Sequence, residues 1–258
     1  NYACHPTTLG GANRLISPDY IGAMRELIEE ATGKAPCLFL QGASGELGPR
    51  RGYEQDPLVA DRNGRQLGHA VLSALTGMLP HRQMLRFSHA QDSGAMLGIW
   101  SLADHEPSGA FHALHASFGI PLRRDLPTVD QLAEQLASCQ DRAERERLER
   151  LNQQLRPLGD DSHFTMPLWG WRLGDSLVIG SPAEAYSLLQ IELRKQFPKR
   201  AVAVLNLVNG YVGYLPPKGL FAKKTYQVNI SLFNEGCLEQ TLHECGHLAR
   251  RLEQDNRP

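Results

Sequence analysis

The most conspicuous chemical pattern in the chain is His243-Glu244-Cys245-Gly246-His247, a formal HExxH. On a helix, histidines four apart share one face and can grip a zinc ion, with the intervening Glu as general base. The context does not support that chemistry. Arg250 stands where the extended metzincin pattern requires a glycine. Gly246 weakens the helix, and Glu239, Arg250 and Arg251 predict a mostly exposed one. The motif is read as a fortuitous match, with Cys237, His243 and His247 able at most to scavenge metal. A second pair, His112-x-x-His115, falls in an irregular stretch and reads as surface histidines before ligands.

A quieter set sits in four loops that follow predicted strands. These are His5, the Ser44-Gly45-Glu46 segment, Glu184, and the tyrosines 211 and 214. Loops at the carboxyl ends of strands are the usual home of sites in α/β folds. A His, a carboxylate and a phenol gathered at one sheet edge can bind a borderline cation such as zinc. Taken singly, each has a plainer role: His5 as a satisfied loop histidine, Glu184 as a helix N-terminal carboxylate, the tyrosines as packing. Gly42-Ala-Ser-Gly45 lacks the GxSxG spacing of a serine nucleophile, and no GK[ST] follows to cradle a phosphate.

The elements that must position these residues alternate between strand and helix. Ser17-Pro18-Asp19 starts a helix over 20–31, and Gly33 stops it. Cys37-Leu-Phe-Leu40 is a short apolar run suited to a buried strand, and it empties into the glycine-rich loop Gln41–Arg50. A long amphipathic helix follows from about 57 to 79. Residues 83–91 and 97–100 read as strands, and 105–126, rich in His, Pro and Gly, as a long irregular excursion. One helix is predicted over 128–155, its Asp-Arg-Ala-Glu-Arg-Glu-Arg centre a solvated face with paired charges. Residues 164–173 and 176–180 form a hairpin turning at Gly174-Asp175. Pro182 opens a helix to 196 with Glu184 near its N-terminus, 201–208 is a buried strand, and a helix closes the chain over 234–254. The alternation predicts an α/β fold, a mixed β-sheet flanked by helices, as a single domain over 1–258 with an inserted helical segment at about 128–156.

Composition bounds the class. With 258 residues, 27 Lys+Arg against 28 Asp+Glu and 41% hydrophobic residues, the chain is an ordinary globular one. Balanced charge excludes a nucleic-acid partner, which would want a basic excess. No apolar run approaches the ~20 residues needed to span a bilayer. Five scattered cysteines without a CxxC pair form neither a disulfide framework nor a zinc ribbon, and leave the compartment open. Asn1-Tyr-Ala-Cys-His5 reads as a strand end entering a loop, so a preceding segment is expected.

Four blocks carry a resemblance: Asn1-Tyr-Ala-Cys-His-Pro6, Phe39-Leu-Gln-Gly-Ala-Ser-Gly-Glu-Leu-Gly-Pro-Arg50, Gly180-Ser-Pro-Ala-Glu184, and Asn209-Gly-Tyr-Val-Gly-Tyr-Leu-Pro216 continuing to Tyr226. In this order the chain resembles the later portion of the catalytic domain of neutral/alkaline ceramidases, and more closely bacterial ceramidase-like proteins. The family hydrolyses the amide of ceramide with one zinc ion held by two His, a Glu and a Tyr. By resemblance His5, Glu184 and Tyr214 are metal ligands, and Tyr226 is the tyrosine that bonds the reacting carbonyl. Ser44 and Gly48 fall in the substrate-binding loop, with Gly48 where the family carries a serine. The family's first zinc His, in a His-x-His segment, lies upstream of the first block.

The resemblance therefore implies a Zn2+-dependent amide hydrolase acting on an N-acyl substrate, lipid or small molecule, through metal-activated water. A degenerate, non-catalytic binder of a ligand or partner is the second reading, and an HExxH metallopeptidase the third.

Overall fold

The computed structural model describes residues 1–158 and 161–254. Helices α1 (Tyr20–Ala31) and α2 (Pro57–Thr76) form where the sequence places them, capped by Asp19 and Asp56. They cross closely at Gly64, where a Cβ would sit 2.2 Å from the Tyr20 carbonyl oxygen. The run 37–40 between them does not become a buried strand. Leu38 is 83% exposed, and among the described residues the strand pairing here is the single parallel bridge Tyr2–Gln41 just after the run.

Strands β1 (Gln83–Asp92) and β2 (Met96–Asp104) form a hairpin that pairs with no other strand among the described residues. The predicted excursion after it is instead an eleven-residue strand, β3 (Phe111–Pro121). Its inward residues Leu114, Ala116, Phe118 and Ile120 alternate with outward His115, Ser117 and Gly119. That period of two is what a half-buried strand requires, and the intervening His and Gly mask it. His112 and His115, three apart on a strand, point to opposite faces and cannot share one ion.

The single helix predicted next is two, α3 (Val129–Ser138) and α4 (Arg142–Leu155). Thr128 and Gln131 make a capping box on α3, and Asp141 restarts the chain by accepting from the Glu144 N–H at 2.8 Å. β4 (His163–Leu173) and β5 (Ser176–Gly180) form the expected hairpin, with Gly174 at φ 60° in its turn. The main sheet has the order β3-β4-β5-β7, antiparallel except for the parallel pair of β5 with β7 (Ala201–Leu205). Positive φ at Leu207 and Asn209 ends β7 earlier than predicted.

Helices α5 (Ser187–Gln196) and α7 (Cys237–Gln254) cover one face of this sheet. Leu177, Ile179, Val202 and Val204 meet Leu189 and Leu193 in one core with Leu248 and Leu252. A Cβ at Gly170 would lie 2.8 Å from Leu252, so glycine there lets α7 approach. The expectation that α7 is mostly exposed is corrected: Leu238, Thr241, Cys245, Leu248, Ala249 and Leu252 bury one full face. Among the described residues no helix is long and apolar enough to cross a membrane.

Glu184 is not at a helix N-terminus, because α5 begins at Ser187. Glu184–Ala185 form the short strand β6, parallel to β8 (Tyr214–Leu215), because their backbone groups are claimed from both sides. The Glu184 N–H donates to the Gly213 carbonyl at 2.9 Å, and Ala185 accepts from the Gly45 N–H at 2.9 Å.

Candidate functional site

The β6–β8 register makes Glu184 and Tyr214 cross-strand partners, which places both side chains on one face. The glycine-rich loop closes over them. A Cβ at Gly45 would lie 2.7 Å from the Tyr186 ring and 2.9 Å from the Glu184 carbonyl oxygen, so only glycine permits the approach. Glu46, next in the loop, accepts from the Ser187 N–H at 2.9 Å and from the Ser187 hydroxyl. A carboxylate at the start of α5 is favoured by the helix dipole and fastens the loop.

His5 enters from the N-terminal segment. Its backbone N–H donates to the Leu47 carbonyl at 2.9 Å, and its Nδ1 lies 2.9 Å from the same oxygen. A carbonyl only accepts, so Nδ1 carries a proton. Nε2 then faces the Glu184 Oε2 at 2.7 Å and the Tyr214 hydroxyl at 3.3 Å. Glu184 is 8% exposed. A neutral His5 would thus set a lone pair against an ionised carboxylate at hydrogen-bond distance. The pair needs a positive charge between or upon its atoms, a proton or a metal ion. Accordingly the hydrogen bond to Glu184 raises the His5 pKa above its ordinary value, against the effect of burial. Burial and the Glu184 charge also hold the Tyr214 phenol well above its usual range and push Tyr211 up to about 12.

Tyr226 opens α6 (Tyr226–Ile230) and is 62% exposed, its ring edge-on to Tyr214 with centroids 6.3 Å apart. Arg123 fixes that short helix. Its Nη1 donates to the carbonyls of Val228, Asn229 and Ser231, while Asp125 binds the rest of the guanidinium at 2.6 and 2.9 Å. His5, Glu184, Tyr211, Tyr214 and Tyr226 together line one end of a cavity of about 1150 Å³.

Ser44 and Gly48 do not line that cavity. Ser44 is 2% exposed and accepts from Gln41 Nε2 at 2.6 Å, which places its hydroxyl within the loop's support. Gly48 is exposed, and a Cβ there would meet only Thr7 Oγ1, at 3.8 Å. On α7, His243 and His247 stand exposed with their Nε2 atoms 2.9 Å apart. Among the described residues no three His, Cys, Asp or Glu side chains converge, at this pair or at the His5–Glu184 pair, beside which the further donor is the Tyr214 hydroxyl.

Sequence reasoning did not find the cavity's far wall. It is built by α3 and α4 through Gln131, Glu134, Arg147, Arg150 and Gln154. The helical spacing of 147, 150, 151 and 154 was visible, but its charges read as a solvated face.

No family model and no curated protein matches the chain. Solved structures match in fold. A neutral ceramidase from Pseudomonas aeruginosa superposes with a TM-score of 0.63 at 16% identity, over 97% of this chain and 44% of that one. A ceramidase complexed with C2 gives 0.60 at 14% identity, over 98% and 45%. The chain has a ceramidase-like mixed α/β fold and spans less than half the length of these neighbours.

Proposed function

We propose that the chain carries a zinc-dependent amide hydrolase site of ceramidase type, acting on an N-acyl substrate. The observation that carries this reading is the convergence of His5 Nε2, Glu184 Oε2 and the Tyr214 hydroxyl at 2.7 and 3.3 Å, with the other ring nitrogen of His5 committed to Leu47. An N,O,O donor set is chemically fit for zinc. Bound there, zinc supplies Lewis acidity, lowering the pKa of water toward ~7 and polarising the amide carbonyl.

The protein's own groups do the rest. Leu47 orients the His5 ring through Nδ1, as partners of metal-bound histidines generally do. Glu184 provides the negative charge that a cation at this place requires. Tyr226, at the cavity wall beside Tyr214, donates its phenolic hydrogen to the amide oxygen as charge develops on it, an interaction worth a few kcal/mol. Arg123 holds α6, and hence Tyr226, in position. Tyr211, held protonated by its raised pKa, remains a donor throughout the neutral range.

The test is metal content together with turnover of a fluorescent N-acyl-sphingosine. Zinc is expected to be lost in His5→Ala and Glu184→Ala, and turnover lost with zinc retained in Tyr226→Phe. Zinc unaffected by both ligand changes would overturn the reading. Gly48, which has no hydroxyl where the family has a serine, favours the alternative of a binder without turnover. That alternative predicts zinc bound and no hydrolysis of any amide.

A further inference from the structure

The hydrolase reading leaves the histidine pair on α7 without a role, yet its geometry is that of a chelate. Leu238, Cys245, Leu248 and Leu252 bury one face of α7 against β3, β4 and α5, which fixes the helix backbone. His243 and His247 stand exposed on the opposite face, one turn apart. Their Nε2 atoms approach to 2.9 Å, with ring centroids 4.4 Å apart and the ring planes at 73°.

That separation selects among ions. With metal–imidazole bonds of ~2.0–2.1 Å, two nitrogens 2.9 Å apart subtend about 90° at one ion. A tetrahedral zinc ion needs its nitrogens about 3.3 Å apart. Right angles between neighbouring ligands belong to tetragonal Cu2+ and Ni2+, of which Cu2+ is held the more tightly. Little has to change for the ion to enter. Without metal, the Nε2–H of one ring donates to the Nε2 lone pair of the other. Moving that hydrogen to Nδ1 of its own ring alters no charge, and rotation of an exposed ring then turns both lone pairs toward one point.

The surroundings neither complete a peptidase site nor oppose a cation. Among the described residues no third His, Cys, Asp or Glu joins the pair, and Cys245 between them belongs to the buried face with its thiol pushed up to about 12. Glu239 lies one turn before His243 and Arg251 one turn beyond His247, so the flanking charges offset each other.

We infer that His243 and His247 form a bidentate Cu2+ site within one chain, separate from the His5 corner: the two imidazoles take neighbouring coordination positions and water keeps the others. The ion gains two Cu–N bonds and gives up two waters, with no change of oxidation state.

Titration of the full chain with Cu2+ tests this by calorimetry and electron paramagnetic resonance, comparing the parent with His243→Ala and His247→Ala. Both changes are at exposed positions of a helix held by its other face, so the fold should persist, as circular dichroism will check. The parent should take up one Cu2+ per chain at this site. Either substitution should weaken that uptake at least tenfold, because the second imidazole binds as an intramolecular ligand. The parent resonance should carry nitrogen splitting from two equivalent imidazoles, and neither variant should show it. Zn2+ should occupy the same site at least tenfold more weakly. Copper taken up at the His5 corner is common to all three proteins and cancels in the comparison. A loss smaller than tenfold in either variant, splitting from a single nitrogen in the parent, zinc held there as tightly as copper, or one copper shared by two chains overturns the inference.

Discussion

Replacing Glu184 by Gln separates a cation site from a structural ion pair. In the protein the Glu184 carboxylate lies 2.7 Å from His5 Nε2, and the pair is stable only with a proton or metal ion. A Gln amide presents an N–H to that same lone pair, so the metal-free variant regains one neutral hydrogen bond worth about 1 kcal/mol net and loses little stability. His5→Ala is different. It leaves Glu184, 8% exposed, without its partner, at about 1–3 kcal/mol. The response to zinc should show the opposite pattern of sensitivity. At a concentration of 100 times Kd, zinc stabilises the folded state by about 2.7 kcal/mol. A domain this size gains roughly 2–4 °C in Tm per kcal/mol, so the parent should gain about 5–11 °C. Glu184→Gln, lacking the anionic ligand, should gain almost nothing. The assay is thermal unfolding by circular dichroism, with zinc and with EDTA, in a His247→Ala background that removes the exposed histidine pair. A full zinc shift in Glu184→Gln would refute the argument, as would a metal-free Tm as low as that of His5→Ala.

Three other outcomes follow from the same geometry. Gly64→Ala forces a methyl to 2.2 Å from the Tyr20 carbonyl and should cost about 1–3 kcal/mol in urea unfolding, whereas Gly77→Ala, with no contact nearer than 3.5 Å, should be close to neutral. Burial pushes the thiols of Cys237 and Cys245 up to about 12, and Cys4 is raised as well, so at pH 8 only Cys37 and Cys139 should react with a disulfide reagent until the chain is unfolded. Gly48→Ser meets only Thr7 at 3.8 Å and should leave stability within about 0.5 kcal/mol, so any gain in turnover measured with the N-acyl-sphingosine reports the added hydroxyl.

The site was legible as residue types in loops, and its assembly was not. His5, Glu184 and Tyr214 could be picked out because each follows an apolar run. That Glu184 belongs to a two-residue strand depends on hydrogen bonds from Gly45 and to Gly213, which no local pattern encodes. Local signals succeeded where one short segment decides the outcome, as at Asp19 and the Gly174 turn. They failed where the same pattern serves two environments. The charged stripe of α4 looks alike whether it faces water or a cavity, and the alternation of β3 was hidden by its glycine and histidines. The 37–40 run failed for a different reason. It is apolar, but among the described residues its strand pairing is one bridge at the adjoining Gln41, and burial needs neighbours that an apolar sequence alone does not supply.

The separation of the site's members along the chain has a consequence for how the molecule acquires its shape. His5 and Glu184 are 179 residues apart, and Tyr214 is 209 from His5. Closing loops that long is entropically costly before any contact rewards it, so this corner should form late, after the β4–β5 hairpin and the α1–α2 pair have settled. A cation bound at this corner would be held only once that last closure is made. It would also hold the first residues against the distant β6–β8 pair, so that its release should be the earliest event when the protein begins to come apart.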